Sequence, residues 1–245
     1  MQQELIPNEG KSLEVTTTQG VFLRYPIKTH VVMKDDVLEQ LLEQYVKPHI
    51  QPQDALYISE KIVAITQGRA FDIDDIKVSK LANLLCKFVY KSPYGIGLGS
   101  PWTMQLAIDD IGVPKILFAA FCSAVTKPFG MRGVFYKIVG DKGRAIDGPC
   151  DYTLPPYNHY AKLAPKDPNG VAARLSTYLG GNPVVIMDAN DIGREVLGVS
   201  DRSVSIDLCK EIFRDNPLGQ KDQCTPLCLV RQAPDTAIGG ETIQQ

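Results

Sequence analysis

The sequence has no excess of basic residues. Its 26 Lys and Arg residues stand against 28 Asp and Glu residues, and the formal net charge at pH 7 is -2. Proteins that bind DNA or RNA usually carry a basic excess, because phosphate contacts supply much of their affinity. We therefore expect no nucleic acid polymer among the partners, whereas a nucleotide remains compatible with the composition.

The sequence also lacks a long apolar segment. Its longest apolar run covers about residues 116–125, which is too short for an α-helix that crosses a bilayer. Residues 1–10 are polar and acidic, and they lack the basic and apolar segments of a signal peptide. We therefore expect a soluble, cytoplasmic protein without a membrane partner.

Cysteine and histidine are too scattered to indicate a zinc centre or a histidine-based catalytic triad. The chain has six cysteines without paired C-x-x-C spacing and three histidines. Cys224 and Cys228 are close in sequence, but no second pair or nearby His completes a zinc site. Reduced thiols are the simpler interpretation for a chain of this size and compartment.

Length and composition indicate a globular protein of mixed α/β class. The chain has 245 residues, of which 44% are hydrophobic and 22% charged. This is enough for a sizeable core and excludes a disordered chain or a coiled coil. Helical and strand patterns alternate along the sequence. We expect one domain over residues 1–231, either as a single unit or divided into two lobes, and a flexible tail over residues 232–245.

Hydrophobic periodicity and the positions of Gly and Pro predict the individual elements. Two strands are predicted within residues 13–30, and further strands at 55–59, 134–139, 183–187 and 227–230. Helices are predicted at 35–47, 78–90, 101–111, 115–125, 171–179 and 203–213. Residues 140–170 form a polar stretch that is too long for a passive connection, so we expect functional residues in it.

Two acidic residues follow predicted strands. Asp188 comes directly after the apolar strand 183–187, and Asp147 lies in the polar stretch, after the strand predicted at 134–139. Open α/β sheets bind ligands at the carboxyl ends of their strands. Two carboxylates with few histidines favour a hard, oxygen-ligated ion such as Mg²⁺ or Mn²⁺, which commonly bridges to phosphates. The alternative is that each acid caps a turn.

Two further features are compatible with an anion and also with simpler roles. The Gly-rich segment 95–100 precedes a predicted helix whose N–H groups could hold an anion, but its spacing fits neither a P-loop nor a dinucleotide motif. A tight connection is the alternative. Lys61 follows a strand, where an ammonium group can meet a phosphate, but a surface lysine explains it equally well.

Five short segments carry motifs that stand in a fixed order along the chain: residues 54–69, 145–147, 163–170, 184–194 and 218–226. The first contains Ser-Glu-Lys after a strand and ends in Gly-Arg, and the second is Ala-Ile-Asp. The fourth is a strand that ends in Asp and precedes Gly-Arg. Together they resemble the motifs of the coenzyme F420-0:γ-glutamyl ligases. In that family the second corresponds to a Gly-Ile-Asp metal motif, the third to Leu-Leu-Pro-x-Asp-Pro-Asp-Gly and the fifth to a nucleotide-binding segment.

The resemblance implies a fold, an activity and a set of ligands. It implies an F420-0:γ-glutamyl ligase-like fold in an intertwined homodimer. It also implies that GTP (or ATP) activates a carboxylate as an acyl phosphate, which L-glutamate or a similar amine then attacks to form an amide. The phosphates would be held by Mg²⁺ or Mn²⁺, and the resemblance admits K⁺ as an additional ion.

Position by position, the resemblance also implies site residues. Asp147 and Asp188 would ligate the metal together with Gln220, and both acids would act in catalysis with Arg194. The nucleotide would be bound by Pro26, Ile27, Lys28, Ser59, Glu60 and Lys61, and by Gln220, Lys221, Asp222, Gln223, Cys224 and Thr225.

The chain departs from the family at several of these positions. Ala189 replaces a Thr, Ile65 replaces a Lys, and Gln220 replaces a metal-binding Glu. The Ser and Asn that follow the family's Gly-Ile-Asp motif are missing after Asp147. The insert 151–162 has no clear counterpart and is either a new substrate wall or a packed loop. The alternative functions are therefore a nucleotide-binding member of the same fold without ligase turnover, and an unrelated α/β enzyme.

Overall fold

The computed structural model describes residues 5–89, 97–131, 133–151, 153–189, 193–219 and 223–234. Within these ranges the chain forms a six-stranded sheet, a two-stranded sheet and several helices, which agrees with the predicted mixed α/β class. No helix in the described part is long and apolar enough to cross a membrane. All six cysteines are free thiols.

The described strands form two sheets. In chain order they are β1 (Glu14–Thr17), β2 (Gly20–Ile27), β3 (Ala55–Ser59), β4 (Ala70–Asp72), β5 (Tyr160–Lys162), β6 (Val184–Ala189), β7 (Arg194–Val199) and β8 (Leu227–Gln232). The large sheet has the order β1-β2-β8-β3-β6-β7, and β4 pairs with β5 separately.

Strand directions bring several chain segments to one edge of the large sheet. β3 and β6 are parallel, whereas the other neighbouring pairs are antiparallel. Since β2 and β3 are each antiparallel to β8, the strands β2, β3 and β6 run in the same direction. Their carboxyl ends and the amino end of β8 therefore lie at the same edge, which we call the carboxyl edge.

The central strands are apolar along most of their length because both faces of the sheet are covered. In β6, Val184 and Ile186 pack into the core on one face, and Val185 and Met187 pack into the core on the other. Continuous apolar runs are typical of strands buried on both faces. This explains why β3, β6 and β8 could be predicted from the sequence.

Helices cover both faces of the large sheet. In the described residues they are α1 (Leu38–Leu41), α2 (Glu60–Thr66), α3 (Lys80–Leu85), α4 (Pro101–Ile111), α5 (Val113–Thr126), α6 (Val134–Val139), α7 (Asp141–Arg144), α8 (Pro168–Tyr178) and α9 (Ile206–Ile212). Helices α1, α2 and α8 pack on one face and α9 on the other. As predicted, Ser100 caps α4 by accepting a hydrogen bond from the Thr103 N–H, and Pro101 begins the helix.

The segment between β4 and β5 forms a layer of helices with its own core. Buried side chains of this helical layer include Leu98, Met104, Ile116 and Ile146, and they form a cluster separate from the two cores that lie against the sheet. Because β4 and β5 pair antiparallel, the chain enters and leaves the helical layer through neighbouring strands. The two ends of a long insertion are therefore held together.

The strand predicted at 134–139 is wrong, because these residues form α6. The segment is rich in β-branched and aromatic residues, but Phe135 and Val139, one helical turn apart, pack into the core of the helical layer. Periodicity cannot separate so short a buried helix from a strand, and tertiary packing decides. As a consequence Asp147 does not follow a strand. It comes after α7 and forms an isolated antiparallel bridge with Lys162.

Other elements differ from the predictions in extent. The helix predicted at 35–47 is the short α1, continued by a π-helical turn at Leu42–Val46, and the helix predicted at 78–90 is α3 followed by a 3₁₀ turn. Strands β4, β5 and β7 were not predicted, since two of them have three residues and β7 is a partly exposed edge strand. Residues 235–245 of the predicted tail lie outside the described residues.

A buried arginine ties β2 to the segment after α9. The side chain of Arg24 is 1% exposed, forms a salt bridge with Asp215, and donates hydrogen bonds to the carbonyls of Ile212 and Ser12 at 3.0 and 2.6 Å. Burial acts to raise the pKa of Asp215, but the hydrogen bonds and charge of Arg24 outweigh it, so the pKa of Asp215 lies below its usual value. Asp215 is thus ionised and balances the guanidinium.

We expect Asp215→Asn to lower the free energy of unfolding at pH 7 by roughly 1–2 kcal/mol, because Arg24 loses a charged hydrogen-bond partner. A lowered folded-state pKa stabilises the protein fully above the unfolded-state pKa of about 3.9, and the stabilisation disappears as the pH falls through the folded-state value. Urea unfolding between neutral and acid pH should therefore show a weaker acid dependence in Asp215→Asn. The exposed control Glu14→Gln should follow the wild type, and equal pH dependence of all three proteins would contradict this role of Arg24.

Candidate functional site

The carboxyl edge brings together segments that are far apart in sequence. The Ser59 N–H at the end of β3 donates to the Pro226 carbonyl at 2.8 Å, and the Thr29 N–H after β2 donates to the Cys224 carbonyl at 3.0 Å. Asp188 lies near the end of β6, which is parallel to β3. The described residues predicted from β2, β3, β6 and positions 223–225 before β8 therefore share one edge of the sheet.

Helix α2 starts directly after β3 and places Glu60 and Lys61 in its first turn. Ser59 is its N-cap residue with an extended backbone, although its side chain makes no capping hydrogen bond. The helix is held down by Ile62, Val63 and other apolar side chains that are buried against the sheet. This packing fixes the directions of the first-turn side chains, so Glu60 is buried while Lys61 is partly exposed.

Glu60 forms a buried ion pair with Lys162 of β5. The Lys162 Nζ donates to both carboxylate oxygens of Glu60, at 2.8 and 2.9 Å, and lies 3.3 Å from the Ala145 carbonyl oxygen. The two residues are 2% and 4% exposed. A buried charge must be paired, because an isolated one costs several kcal/mol of desolvation. The pair therefore links α2 to the helical layer.

Asp147 joins this ion pair from the polar stretch after α7. Its N–H donates to the Lys162 carbonyl at 3.0 Å, and the Lys162 N–H donates back to the Asp147 carbonyl at 2.8 Å. One carboxylate oxygen of Asp147 lies 3.5 Å from the Lys162 Nζ, while half of the side chain remains exposed. The backbone bridge fixes the position of a carboxylate that solvent or a ligand can reach.

Asp188 belongs to the same group of charges. Burial raises the pKa of Asp188, and the negative charge of Asp147 adds to the rise, whereas Lys162 and Lys61 oppose it. The charges of Asp147, Lys162 and Lys61 therefore all act on Asp188, although Asp147 is distant from it in sequence. Asp188 also follows Met187, which pairs with Ser59 directly before Glu60 and Lys61. We call Glu60, Lys61, Asp147, Lys162 and Asp188 the charged cluster.

The charged cluster contains more negative than positive groups. Burial raises the pKa of Glu60 to about 7, Lys162 opposes this rise, and Asp147 and Asp188 add to it. Burial alone would lower the pKa of Lys162, but Glu60 and Asp147 more than offset it, so the pKa of the ammonium lies above its usual value. The two shifts have different main causes: burial raises the pKa of Glu60, whereas the carboxylates around Lys162 raise its pKa against the effect of burial.

The donor set of the charged cluster fits a hard divalent cation. Burial raises the pKa of Asp188 and the negative charge of Asp147 adds to the rise, and a cation between the two aspartates would offset both effects. Oxygen ligands without His or Cys suit Mg²⁺ or Mn²⁺. Glu60 is already bonded through both oxygens to Lys162, so Asp147 and Asp188 are the members of the cluster that could hold an ion.

A narrow crevice opens beside the charged cluster. It has a volume of about 20 Å³, enough for about one water molecule. Its walls come from α2, from the segment around Asp147 and from the insert 151–162. The lining residues are Lys61, Ile65, Ala70, Asp147, Gly148, Thr153, Tyr157, Tyr160 and Lys162.

The insert 151–162 is both packed and part of the crevice wall. The Tyr157 hydroxyl donates to the Val32 carbonyl at 2.8 Å, and its ring packs against the core next to the sheet. The same residue and Thr153 face the crevice. The two alternatives considered for this insert, a substrate wall or a packed loop, therefore do not exclude each other.

The residues predicted to bind the nucleotide occupy different environments. Pro26 and Ile27 are buried in β2, where they pair with Cys228 and Leu227 of β8. Their side chains therefore pack within the protein. Lys28 is exposed at the carboxyl edge.

The predicted nucleotide residues before β8 also differ in exposure. Thr225 is buried, and its hydroxyl donates to the Leu218 carbonyl at 2.5 Å. Cys224 and Gln223 are partly exposed. Burial raises the pKa of the Cys224 thiol, and the charge of Lys28 acts in the opposite direction, so Cys224 and Lys28 are neighbours. The predicted residues Gln220, Lys221 and Asp222 lie outside the described residues.

Arg194 is not part of the charged cluster. It pairs with Ala189 across β6 and β7, whereas Asp188 pairs with Glu195. Successive side chains of a strand point to opposite faces of the sheet, so Arg194 and Asp188 lie on different faces. The Arg194 guanidinium donates to the Arg214 carbonyl at 2.9 Å. Its placement therefore gives no support to the predicted catalytic role.

Two features were not predicted from the sequence. Lys162 was treated as part of an unassigned insert, although a lone lysine between Ala161 and Leu163 in a short apolar segment is a recognisable signal of a buried, paired charge. Asp72, Asp74 and His159 form an exposed group whose donor atoms could also hold a metal ion. No sequence pattern connects His159 with Asp74, which is 85 positions away.

A larger cleft of about 430 Å³ lies away from the charged cluster. Ala70 lines the crevice, and the next residue, Phe71, lines the cleft, so the two cavities are on opposite faces of the two-stranded sheet. The cleft contains none of the predicted site residues. Its acidic lining residues are Asp75, Asp109 and Asp110.

We expect the Glu60–Lys162 pair to show strong coupling in a double-mutant cycle. Glu60→Met or Lys162→Met alone should lower the free energy of unfolding by about 3–5 kcal/mol, because each leaves an uncompensated buried charge. The double variant should recover at least ~1 kcal/mol relative to the sum of the single losses. Denaturant unfolding measures all three.

The exposed pair Glu43 and Lys47 provides the matched control for this cycle. Its coupling energy should be much smaller than that of the buried pair, because solvent screens an exposed i,i+4 pair. Additive losses at Glu60 and Lys162 would show that the two charges are not paired in solution.

Comparison with known proteins gives one family match. Residues 26–127 match the family model described as F420-0:Gamma-glutamyl ligase. The matched segment includes β3, α2 and therefore Glu60 and Lys61, whereas Asp147, Lys162 and Asp188 lie beyond it. No curated protein matches the chain. The predicted resemblance to the F420-0:gamma-glutamyl ligase family is thereby confirmed over residues 26–127.

Proposed function

We propose that the protein is an NTP- and divalent-metal-dependent amide ligase. It would join L-glutamate, or a similar amine, to a carboxylate through an acyl phosphate, with GTP or ATP as the phosphoryl donor. The observation that carries this proposal is the charged cluster at the carboxyl edge, next to a segment that matches a ligase family. The charge of Asp147 acts on Asp188 there, which supports the two aspartates as the proposed ligands of a phosphate-bound cation.

The proposed reaction has two steps that place different demands on the site. In the first, a carboxylate oxygen of the substrate attacks the γ-phosphorus and the nucleoside diphosphate leaves. In the second, the amine attacks the acyl carbon, phosphate leaves and the amine loses a proton. Both steps concentrate negative charge near phosphate oxygens, so positioning and electrostatic stabilisation supply most of the rate enhancement.

Asp147 and Asp188 are the residues that would hold Mg²⁺ or Mn²⁺. A bound ion would neutralise phosphate charge and polarise the γ-phosphoryl group. Asp147 is suited to this role because its backbone is fixed by the bridge to Lys162 while half of its side chain remains exposed. Gln220 remains a predicted third ligand from the family resemblance.

Lys61 is the ammonium group that could contact a phosphate directly. It lines the crevice in the first turn of α2 and is partly exposed. Lys162 is buried and bonded to Glu60, so its role is to position Asp147 and to balance charge. The crevice thus retains two ammonium groups although Ile65 replaces the lysine that the family has.

A specific observation also supports the alternative of a nucleotide-binding protein without turnover. The crevice has room for about one water molecule, and Ile65 contributes an apolar wall. Ala189 removes a hydroxyl that the family places beside the second aspartate. A site with these features could bind phosphates at the exposed edge and lack the space for an acceptor carboxylate.

Two further expectations, a homodimer and K⁺ as an additional ion, rest on the resemblance alone. The cytoplasmic location is an expectation from the sequence pattern. The assays below use both GTP and ATP and a panel of acceptor carboxylates.

We expect Asp147→Asn and Asp188→Asn each to reduce the rate of nucleotide-dependent amide formation at least ~100-fold, because a lost metal ligand removes about 3 kcal/mol of transition-state stabilisation. The measurement is release of nucleoside diphosphate together with mass-spectrometric detection of the amide, over a panel of carboxylates with L-glutamate. Turnover should require Mg²⁺ or Mn²⁺.

The exposed Asp207→Asn serves as the control and should retain the wild-type rate. Unchanged rates in both site variants would exclude these residues as metal ligands. If the wild type binds nucleotide in the presence of metal but forms no amide with any substrate pair, the alternative function is supported.

Lys61→Gln should weaken binding of GTP or ATP by roughly tenfold, because one charged hydrogen bond to a phosphate is worth about 1.5–3 kcal/mol when it is formed. Calorimetric titration in the presence of Mg²⁺ gives the affinity. The exposed Lys34→Gln is the charge-matched control and should bind as the wild type does. Equal affinities of the two variants would remove Lys61 from the nucleotide site.

A further inference from the structure

The outward face of α5 is apolar over its whole length. Phe118 and Phe121 are 59% and 67% exposed, and Val113, Leu117 and Val125 lie on the same face at spacings of about one helical turn. The face continues beyond the helix, where Phe129 is 78% exposed. Among the exposed residues of the range 113–131, the polar ones are Lys115 and Lys127. We call this surface the α5 face.

The fold does not require the α5 face to be apolar. The opposite side of α5 already packs into the helical layer through Ile116 and Ala119, which are fully buried. A surface helix normally carries polar residues on its outer side. Contiguous exposed apolar patches on a protein mark a site of interaction with another protein or with a membrane.

The segment that contains the α5 face differs in charge from the rest of the chain. Residues 113–144 contain six basic residues and one acidic residue, a net charge of +5, whereas the whole chain has -2. Lys115 and Lys127 are exposed at the two ends of α5, and Lys137 is exposed on α6, which packs beside it. The apolar face is therefore flanked by positive charge.

We propose that the α5 face binds the surface of an anionic lipid bilayer. A helix with Phe and Leu on one side and lysines at its flanks lies in the plane of the interface, with the apolar side chains among the acyl chains and the ammonium groups at the lipid phosphates. Each lysine near an anionic leaflet adds electrostatic attraction. The α5 face has this composition.

This binding mode is compatible with the absence of a membrane-spanning helix in the described residues. The 14 residues of α5 would lie along the surface, where a length of about 21 Å is sufficient. The expectation of no membrane partner was based on the lack of a spanning segment and of a signal peptide. Neither bears on a helix that lies in the interface.

Charge complementarity favours a lipid surface over a second copy of the chain. Pairing two α5 faces would bring the lysines at their ends and on α6 towards each other, and juxtaposed like charges oppose association. An anionic bilayer offers phosphates at the edge of the face and hydrocarbon beneath it. One partner can therefore bind both the apolar side chains of the α5 face and the lysines that flank it.

Vesicle flotation tests the proposal with the full chain. We expect binding to vesicles that contain phosphatidylglycerol, weak binding to pure phosphatidylcholine, and loss of binding at high salt, where the charges are screened. Phe118→Ser/Phe121→Ser should reduce the partition coefficient at least about tenfold, because two aromatic side chains no longer enter the bilayer. Lys115→Gln/Lys127→Gln should reduce binding to anionic vesicles. Its binding to neutral vesicles should equal that of the wild type.

The control is Ile206→Ser, an exposed apolar residue on α9, which should bind as the wild type does. Circular dichroism melting of each variant verifies folding, and the lysine variant tests the proposal independently if the Phe variant is destabilised. Absence of binding to anionic vesicles, or equal binding by the wild type and both double variants, overturns the proposal. So does a dimer in sedimentation analysis that Phe118→Ser/Phe121→Ser converts to a monomer without any vesicle binding by the wild type.

Discussion

The buried Lys162 ammonium is the constraint on which the arrangement around the crevice depends. A charge that is withdrawn from water needs several oxygen partners, because its desolvation penalty is otherwise not repaid. Lys162 obtains them from Glu60, the Ala145 carbonyl and, at a longer distance, Asp147. One side chain therefore fixes β5 against α2 and holds the acidic segment beside the carboxyl edge. Asp147 keeps an exposed carboxylate as a result of this arrangement.

The topology of the large sheet explains why the second aspartate is close. Because β3 and β6 are parallel neighbours, the residues that follow them leave the sheet at the same edge. Asp188 therefore lies beside the start of α2, where Glu60 and Lys61 are located. The three carboxylates exceed the two ammonium groups by one charge, and partial burial raises the cost of that excess. A hard divalent cation is a ligand that such a surplus favours.

Much of the fold, and less of the charged cluster, could be predicted from the sequence. Strands β3, β6 and β8 were predictable because burial on both faces makes them continuously apolar, and Asp188 followed from the end of such a strand. Segment 134–139 has too few residues for a strand to be distinguished from a helix. Lys162 was missed because its partner Glu60 is 102 positions away in the sequence, and single-residue patterns carry no information about a contact of that range.

The net charge of the whole chain does not show that basic and acidic residues are unevenly distributed along the sequence. A net charge of -2 excluded a strongly basic protein, yet residues 113–144 carry +5, so the remaining residues carry -7. The position of the lysines then distinguishes between anionic partners. A surface that binds nucleic acid places its cations where the phosphates run, and uses aromatic rings to stack on accessible bases. On α5 the lysines stand at the ends of a continuous apolar surface, whose side chains have no polar group to pair with a base. An anionic lipid bilayer matches this arrangement, because its acyl chains can take up the apolar side chains while its phosphates meet the lysines.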